Sequence, residues 1–347
     1  AVLNVMESAQ YINGPDVKML SEEMQEYLKV KHAIPCASGT DALQLALMAL
    51  NIGPGDEVIT TPFTFVATAE TIGLLGARPV YADIDERTYN INPSLIEKAI
   101  TKKTKAIIPV HLYGQPADMD AILEVAGKHN LPVIEDSAQA VGARYKGKPV
   151  CSMGELGWIS FFPSKNLGAC GDAGMVTTND DELADKVRMI ANHGSRVRYT
   201  HELLGVNSRL DSMQAAILRI KLKHLDEWNR TRREIASYYS EGLKGHGITT
   251  PFVADYAEHI YHQYTIQTEN RDGLQNFLNE RKIPNAIHYP IPLHIQPAFK
   301  ELSGYQEGSF PVAEKIAGRV ISLPMHPDLN REEMDYIIES ILAFYNR

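Results

Sequence analysis

The chain has 347 residues, 44% of them hydrophobic and 22% charged, the balance of a globular protein with room for two domains, or one large and one smaller. Its net charge of −9 argues against a general nucleic-acid or acidic-membrane surface, and no apolar run reaches the ~18 residues of a membrane span. Cys36, Cys151 and Cys170 are too few and too scattered for a disulfide framework or a zinc cluster, so no metal is expected and a reducing cytoplasm is the expected setting. The N-terminus lacks a basic region followed by an apolar core, so no signal peptide is expected there.

Between about residues 30 and 190, short β-rich runs alternate with helical patterns. The strand "DEVITTP" (56–62) leads into the helix "FVATAETIGLLGA" (65–77) and the strand "RPVYADID" (78–85). The helix "PSLIEKAI" (93–100), the strand "TKAIIPVHLYG" (104–114), the helix "MDAILEVAGKHN" (119–130) and the strand-ending "LPVIEDSAQA" (131–140) continue the alternation. This spacing predicts βαβ units and a mostly parallel sheet covered on both faces, with its chemistry beyond the carboxyl ends of the strands. From residue 211 the texture changes: 211–243 predicts one long helix, followed by shorter strands and helices up to the closing helix at 331–347. The fold class is therefore α/β, with a large domain over 1–225 and a smaller C-terminal α+β domain over 226–347.

Three features carry chemistry. "CASGTDALQLALMAL" (36–50) sets Ser38, Gly39 and Thr40 before a helix, which is either an ordinary N-cap or a phosphate site at the positive end of the helix dipole. "LPVIEDSAQA" ends an apolar strand in Glu135-Asp136; the carboxylate suits a pyridinium partner, a magnesium ligand or a helix cap. "SFFPSKNLGACGDAG" (160–174) sets Lys165 among apolar and small residues, as a turn lysine or as an amine whose pKa is lowered for Schiff-base chemistry. Together they make the minimum set for pyridoxal 5'-phosphate (PLP): an anchor, a pyridinium partner and a lysine. Phe63 reads as core. His259 and His262 read as structural, Arg230, Arg232 and Arg233 as a solvated helix face, and Gly168, Gly171 and Gly174 as points where backbone passes close to a cofactor.

With "SGTDAL", "TPFTFVATAE", "PVHLYGQPADM", "VIEDSAQA", "SFFPSKNLGACGDAG" and "GVNSRLDSMQAA" in place, the chain resembles the DegT/DnrJ/EryC1 family of PLP-dependent sugar aminotransferases. The resemblance runs from "AQYINGPDV" to "SLPMHPDL" (9–329) and implies the aspartate-aminotransferase fold, fold type I. The family's usual first helix, before "AQYINGP", is mostly missing. By that resemblance Lys165 forms the Schiff base and shuttles protons, Asp136 pairs with the pyridine nitrogen, and Gln139 lies near the phenolic oxygen. Gly39, Thr40 and Ser160 hold the phosphate, and Phe65 stacks on the ring where the family more often has Tyr or Trp. Asn207 reaches the cofactor phosphate of the neighbouring subunit, which implies a homodimer. L-glutamate is the expected amine donor and a nucleotide-linked keto sugar the acceptor. Arg209, with 286–299, looks closest to enzymes of a UDP-linked 3-keto N-acetylglucuronic acid. Arg209, His288 and Tyr289 are the expected carboxylate partners, against a second reading in which Arg209 serves glutamate or a structural salt bridge. A 6-deoxy sugar is the alternative acceptor. Relatives that are sugar dehydratases carry histidine in place of the lysine; Lys165 speaks against that reaction. Intact Lys165, Asp136 and Gln139 speak against a non-catalytic regulator, and the missing G-x-G-x-x-G speaks against an NAD enzyme.

Overall fold

A computed structural model describes residues 1–346. The short helix α1 (Val2–Ser8) and α2 (Pro15–Leu28) precede the alternating region. Its elements are β1 (His32–Cys36), α3 (Gly39–Ala49), β2 (Glu57–Thr60), α4 (Ala67–Leu74), β3 (Arg78–Tyr81), α5 (Pro93–Ala99), β4 (Thr104–Ile107), α6 (Met119–His129) and β5 (Ile134–Asp136). A small hairpin, β6 (Arg144–Tyr145) and β7 (Lys148–Pro149), then leads to β8 (Leu156–Ser160), β9 (Gly174–Thr178) and α7 (Asp181–Ala191). Strands β3-β2-β4 are parallel, and β5 is parallel to β8. Parallel bridges Ile107–Val133 and Val110–Asp136 carry the pairing from β4 to β5. The result is one sheet of order β3-β2-β4-β5-β8-β9-β1, as the alternation predicts. Only β9 runs against its neighbours, pairing antiparallel with both β8 and β1. Helix α3 packs its fully buried Leu43, Leu45 and Leu47 into the sheet core, with Ile34, Val58, Ile134, Leu156 and Val176. β2 and β8 are buried at every residue, as in a sheet covered on both faces.

The predicted long helix is two. α8 (Ser212–Leu222) ends at Lys223 and α9 (Leu225–Gly242) starts after His224. The break lets the two apolar stripes serve different cores. Ala215 and Leu218 pack beside Leu20 and Met24 of α2, whereas Ile235, Ala236 and Tyr239 pack with Tyr264, Ile266, Ile337 and Ile341. The remaining elements are β10 (Ala257–Glu258), β11 (Tyr264–Gln267), α10 (Arg271–Glu280), α11 (Pro297–Ser303), α12 (Pro311–Ala317), β12 (Val320–Leu323) and α13 (Arg331–Tyr345), with β11 and β12 antiparallel. α13 starts on a capping box in which Asn330 and Glu333 each accept from the other's backbone amide. Arg232 is corrected from the solvated-face reading. It is 7% exposed and its Nη1 donates to the carbonyls of Tyr261 (3.1 Å) and Met325 (2.8 Å), while burial lowers its pKa to about 10. No helix of the described residues is long and apolar enough to cross a membrane.

Candidate active site

The carboxyl ends of β5 and β8 and the start of α3 converge on a cavity of about 450 Å³, where a parallel sheet places its chemistry. Lys165, Asp136, Gly39, Thr40, Phe65, Gln139, Ser160, His288 and Tyr289 all line it. Among the predicted site residues, Asn207 and Arg209 do not. Asn207 is exposed and bridges to Asn192, and Arg209 is partly buried; among the described residues Arg209 forms no ion pair. Phe63 is fully buried, as its core reading requires.

Successive strand residues point to opposite faces, and Glu135-Asp136 uses both. Glu135 is fully buried and accepts from the amides of Cys151 (2.9 Å), Met153 (2.7 Å) and Gly154 (2.8 Å). His111 donates to it from Nε2 (3.1 Å), because its Nδ1 is occupied in accepting from the Ala117 amide (3.0 Å). Glu135 is thus a fastener for the loop before β8. Asp136 faces the cavity. Its Oδ2 accepts from Thr68 Oγ1 (2.8 Å) and its Oδ1 from the Ala138 amide (3.2 Å), which fixes the carboxylate plane. Burial raises its pKa to about 6, against the donors that hold the anion. Burial likewise lowers Lys165 to about 8, opposed by the negative charge of Asp136. The two residues therefore share one electrostatic site.

The anion end is set by glycine. α3 is capped by Ser38, whose side chain accepts from the Asp41 amide (3.1 Å), leaving the Gly39 and Thr40 amides without internal partners. A Cβ at Gly39 would lie 2.6 Å from the Cβ of Ser160, and one at Gly174 would lie 2.1 Å from the Ser38 carbonyl oxygen. Only glycine permits β8, β9 and the helix start to meet so closely. Phe65 is 52% exposed and its ring lies 6.2 Å from that of Tyr289. The Tyr289 hydroxyl accepts from Gln139 Nε2 (2.9 Å), and Gln139 Oε1 accepts from the Tyr113 amide (2.7 Å).

This donor set fits PLP: unpartnered amides at a helix start for a phosphate, a fixed carboxylate for a ring nitrogen, and an amine of lowered pKa in the same cavity. Residues 1–342 match the model of the DegT/DnrJ/EryC1/StrS aminotransferase family. The chain belongs to this family. It is 53% identical to the "Pleiotropic regulatory protein" of Geobacillus stearothermophilus, covering 98% of this chain and 92% of that protein. It is 51% identical to the UDP-2-acetamido-2-deoxy-3-oxo-D-glucuronate aminotransferase of Pseudomonas aeruginosa, covering 98% and 94%. The crystal structure of S. venezuelae DesV in complex with a ketimine intermediate superposes with a TM-score of 0.97 at 45% identity, over 100% of this chain and 93% of that one. This DegT-family chain is a PLP-dependent sugar aminotransferase of fold type I.

Sequence reasoning missed several cavity residues. Thr68, which holds Asp136 from the first turn of α4, and Thr64 in the loop before it, 3.2 Å from Thr68 Oγ1, both fall in the motif "TPFTFVATAE", where nothing in the residue types set them apart from ordinary cap or core threonines. Phe162 lines the cavity and is 52% exposed. His259 keeps its structural reading, stacked on Tyr261 at 4.0 Å. His262 does not: it lines the cavity, and with no acidic residue at helical spacing nothing in its pattern marked it.

Proposed function

We propose that this aminotransferase moves an amino group from L-glutamate to the keto group of UDP-2-acetamido-2-deoxy-3-oxo-D-glucuronate, in the cytoplasm and in the service of surface-polysaccharide biosynthesis. The catalytic part of this reading is carried by one observation, that Lys165 and Asp136 line one cavity and each charge acts on the other. The choice of sugar is supported by the likeness to the Pseudomonas aeruginosa enzyme and by the sequence around Arg209 and 286–299. The cavity lining is silent on a carboxylate, since its single cation is Lys165.

PLP supplies an electron sink for the charge left when the donor Cα loses its proton. Lys165 Nζ would relay that proton within the donor half-reaction and would relay one the opposite way, to the sugar carbon, when the keto sugar is aminated. The Asp136 carboxylate would hold the ring N–H, with Gln139 available to the phenolic oxygen and Phe65 to the ring face. The Gly39 and Thr40 amides with Ser160 hold the phosphate. Asn207 reaches the phosphate held by the second subunit of a homodimer. His288 and Tyr289 meet the sugar. Residues 1–225 form the large domain that carries the cofactor, and 226–347 the small one that adds the substrate wall.

The test is the reverse half-reaction. The PLP-loaded enzyme is mixed with UDP-linked 3-amino-N-acetylglucuronate or with dTDP- or UDP-linked 4-amino-6-deoxy sugars, and the cofactor absorbance is followed. Conversion by the uronate alone is expected. Conversion by a deoxy sugar alone would replace the substrate and keep Lys165 in its role.

A further inference from the structure

Beside the cofactor cavity lies a second one of about 330 Å³, and Ser164, His262, Gln263 and His288 line both. Its remaining walls come from 284–286 and 322–325 and contain no lysine, arginine, aspartate or glutamate. An anionic group has no counter-charge there. A neutral polar group has partners.

The protonation of His262 follows from two peptide carbonyls. The carbonyl of Val141 can only accept, and it takes Asn229 Nδ2 at 3.3 Å. That turns Asn229 Oδ1 toward Asn166, whose Nδ2 donates to it at 2.7 Å and also donates to the Ile260 carbonyl at 3.3 Å. Asn166 is thereby left presenting Oδ1, an acceptor, at 3.2 Å from His262 Nδ1. His262 Nδ1 must carry the proton. Burial, with the nearby Lys165, Arg232 and His288, holds the His262 pKa well below its ordinary value. A neutral ring has one proton, so Nε2 is a bare acceptor, and it has no partner among the described residues. Gln263 lines the same space, and its side-chain carbonyl is buried without a partner.

We propose that His262 is a specificity-determining residue whose Nε2 accepts a hydrogen bond from the N-acetyl N–H or the 4-hydroxyl of the sugar, so that sugars carrying these donors are selected over a trideoxy sugar that lacks both. This rests on the reading of the chain as a sugar aminotransferase. The physical basis is asymmetric: a buried acceptor that loses water and gains no donor costs more than an unmade contact on the surface. Asn166, next to Lys165 in the chain, acts through His262 as a positioning residue by fixing the tautomer.

The test measures kcat and KM for UDP-linked 3-amino-N-acetylglucuronate and dTDP-linked 3-amino-3,4,6-trideoxyglucose in the wild type, His262→Phe and His262→Gln. All three proteins are loaded with PLP and checked for the cofactor absorbance band. Phenylalanine keeps the shape and removes the acceptor; glutamine restores one. In His262→Phe, KM for the N-acetyl sugar should rise roughly tenfold or more, with kcat changed less than about threefold and a smaller rise for the trideoxy sugar. His262→Gln should recover most of the loss. Equal rises for both sugars, an unchanged KM, or a glutamine variant as impaired as phenylalanine would each overturn the role. Which sugar the wild type prefers decides the substrate reading separately, because the role of His262 is read from the change between variants.

Discussion

Burial moves Lys165 and Asp136 in opposite directions on the pH scale, yet moves both toward neutrality. For Lys165 that is useful, since only the neutral amine attacks a carbonyl. The rate at which apoprotein captures PLP should climb about tenfold per pH unit in acid and level off above about 8, where the Lys165 amine is free. Asp136→Asn removes the charge that opposes this shift, so its plateau should be reached at lower pH. Stopped-flow absorbance over pH 6–10 reads both profiles; a wild-type rate still climbing at pH 10, or a variant plateau displaced upward, would contradict the coupling. At this scale the sequence was legible where separate features converge: Lys165 and Asp136 each had a bland alternative, and only together with the helix start at Ser38 did they point to one cavity, which both line. Thr68 and His262 carry no such signal, because threonine and histidine serve cores, caps and sites alike, and what separates these uses is which atoms they meet. The same limit explains Arg232: three basic residues on a helix read as solvated, and only the position of the Tyr261 and Met325 carbonyls makes one of them a buried strut.

At the scale of elements, the site is held by a strand that runs against its neighbours. Gly174 opens β9 in register with Cys36 of β1 and Ser160 of β8, so a single residue aligns the two strand ends that flank the unpartnered amides at the start of α3. Gly174→Ala should therefore be costly, since its Cβ would fall 2.1 Å from the Ser38 oxygen and 2.8 Å from the Gly39 nitrogen. We expect weaker PLP retention, by roughly tenfold or more, and a loss of about 2 kcal/mol or more of stability from the forced backbone shift. Dialysis followed by absorbance, with urea denaturation alongside, checks both; a variant that holds PLP as tightly as the wild type would show that this helix start tolerates movement. The alternation of strand and helix was plain in the sequence because both periods were strong. The direction of β9 was not, because a strand buried on both faces has the same apolar pattern whichever way it runs. Nor was the break at Lys223–His224, where the hydrophobic repeat continues while the partner changes.

On the scale of the whole molecule, the cavity takes its walls from distant parts of the chain: the helix start at 38–40, the strand ends at 136–139 and 158–165, and the C-terminal residues 262–263 and 288–289. A ligand that binds only the assembled cavity stabilises everything that builds it. PLP at a hundredfold excess over its Kd should add about 2.7 kcal/mol of stability and shift the melting transition as one unit in calorimetry. An early transition, insensitive to PLP and confined to the C-terminal residues, would mean that their wall is not held by the cofactor.

The reversed strand also sets an order of events in synthesis. β1 lies at the edge of the sheet and its strand partner is β9. The segment His32–Cys36 therefore leaves the ribosome first and waits, apolar and unpaired, until Gly174–Thr178 has emerged. At the usual pace of translation that wait is on the order of ten seconds. The N-terminal strand is made early and docked late, so the nascent chain carries an open edge through most of the large α/β region, the interval in which a chaperone would find it.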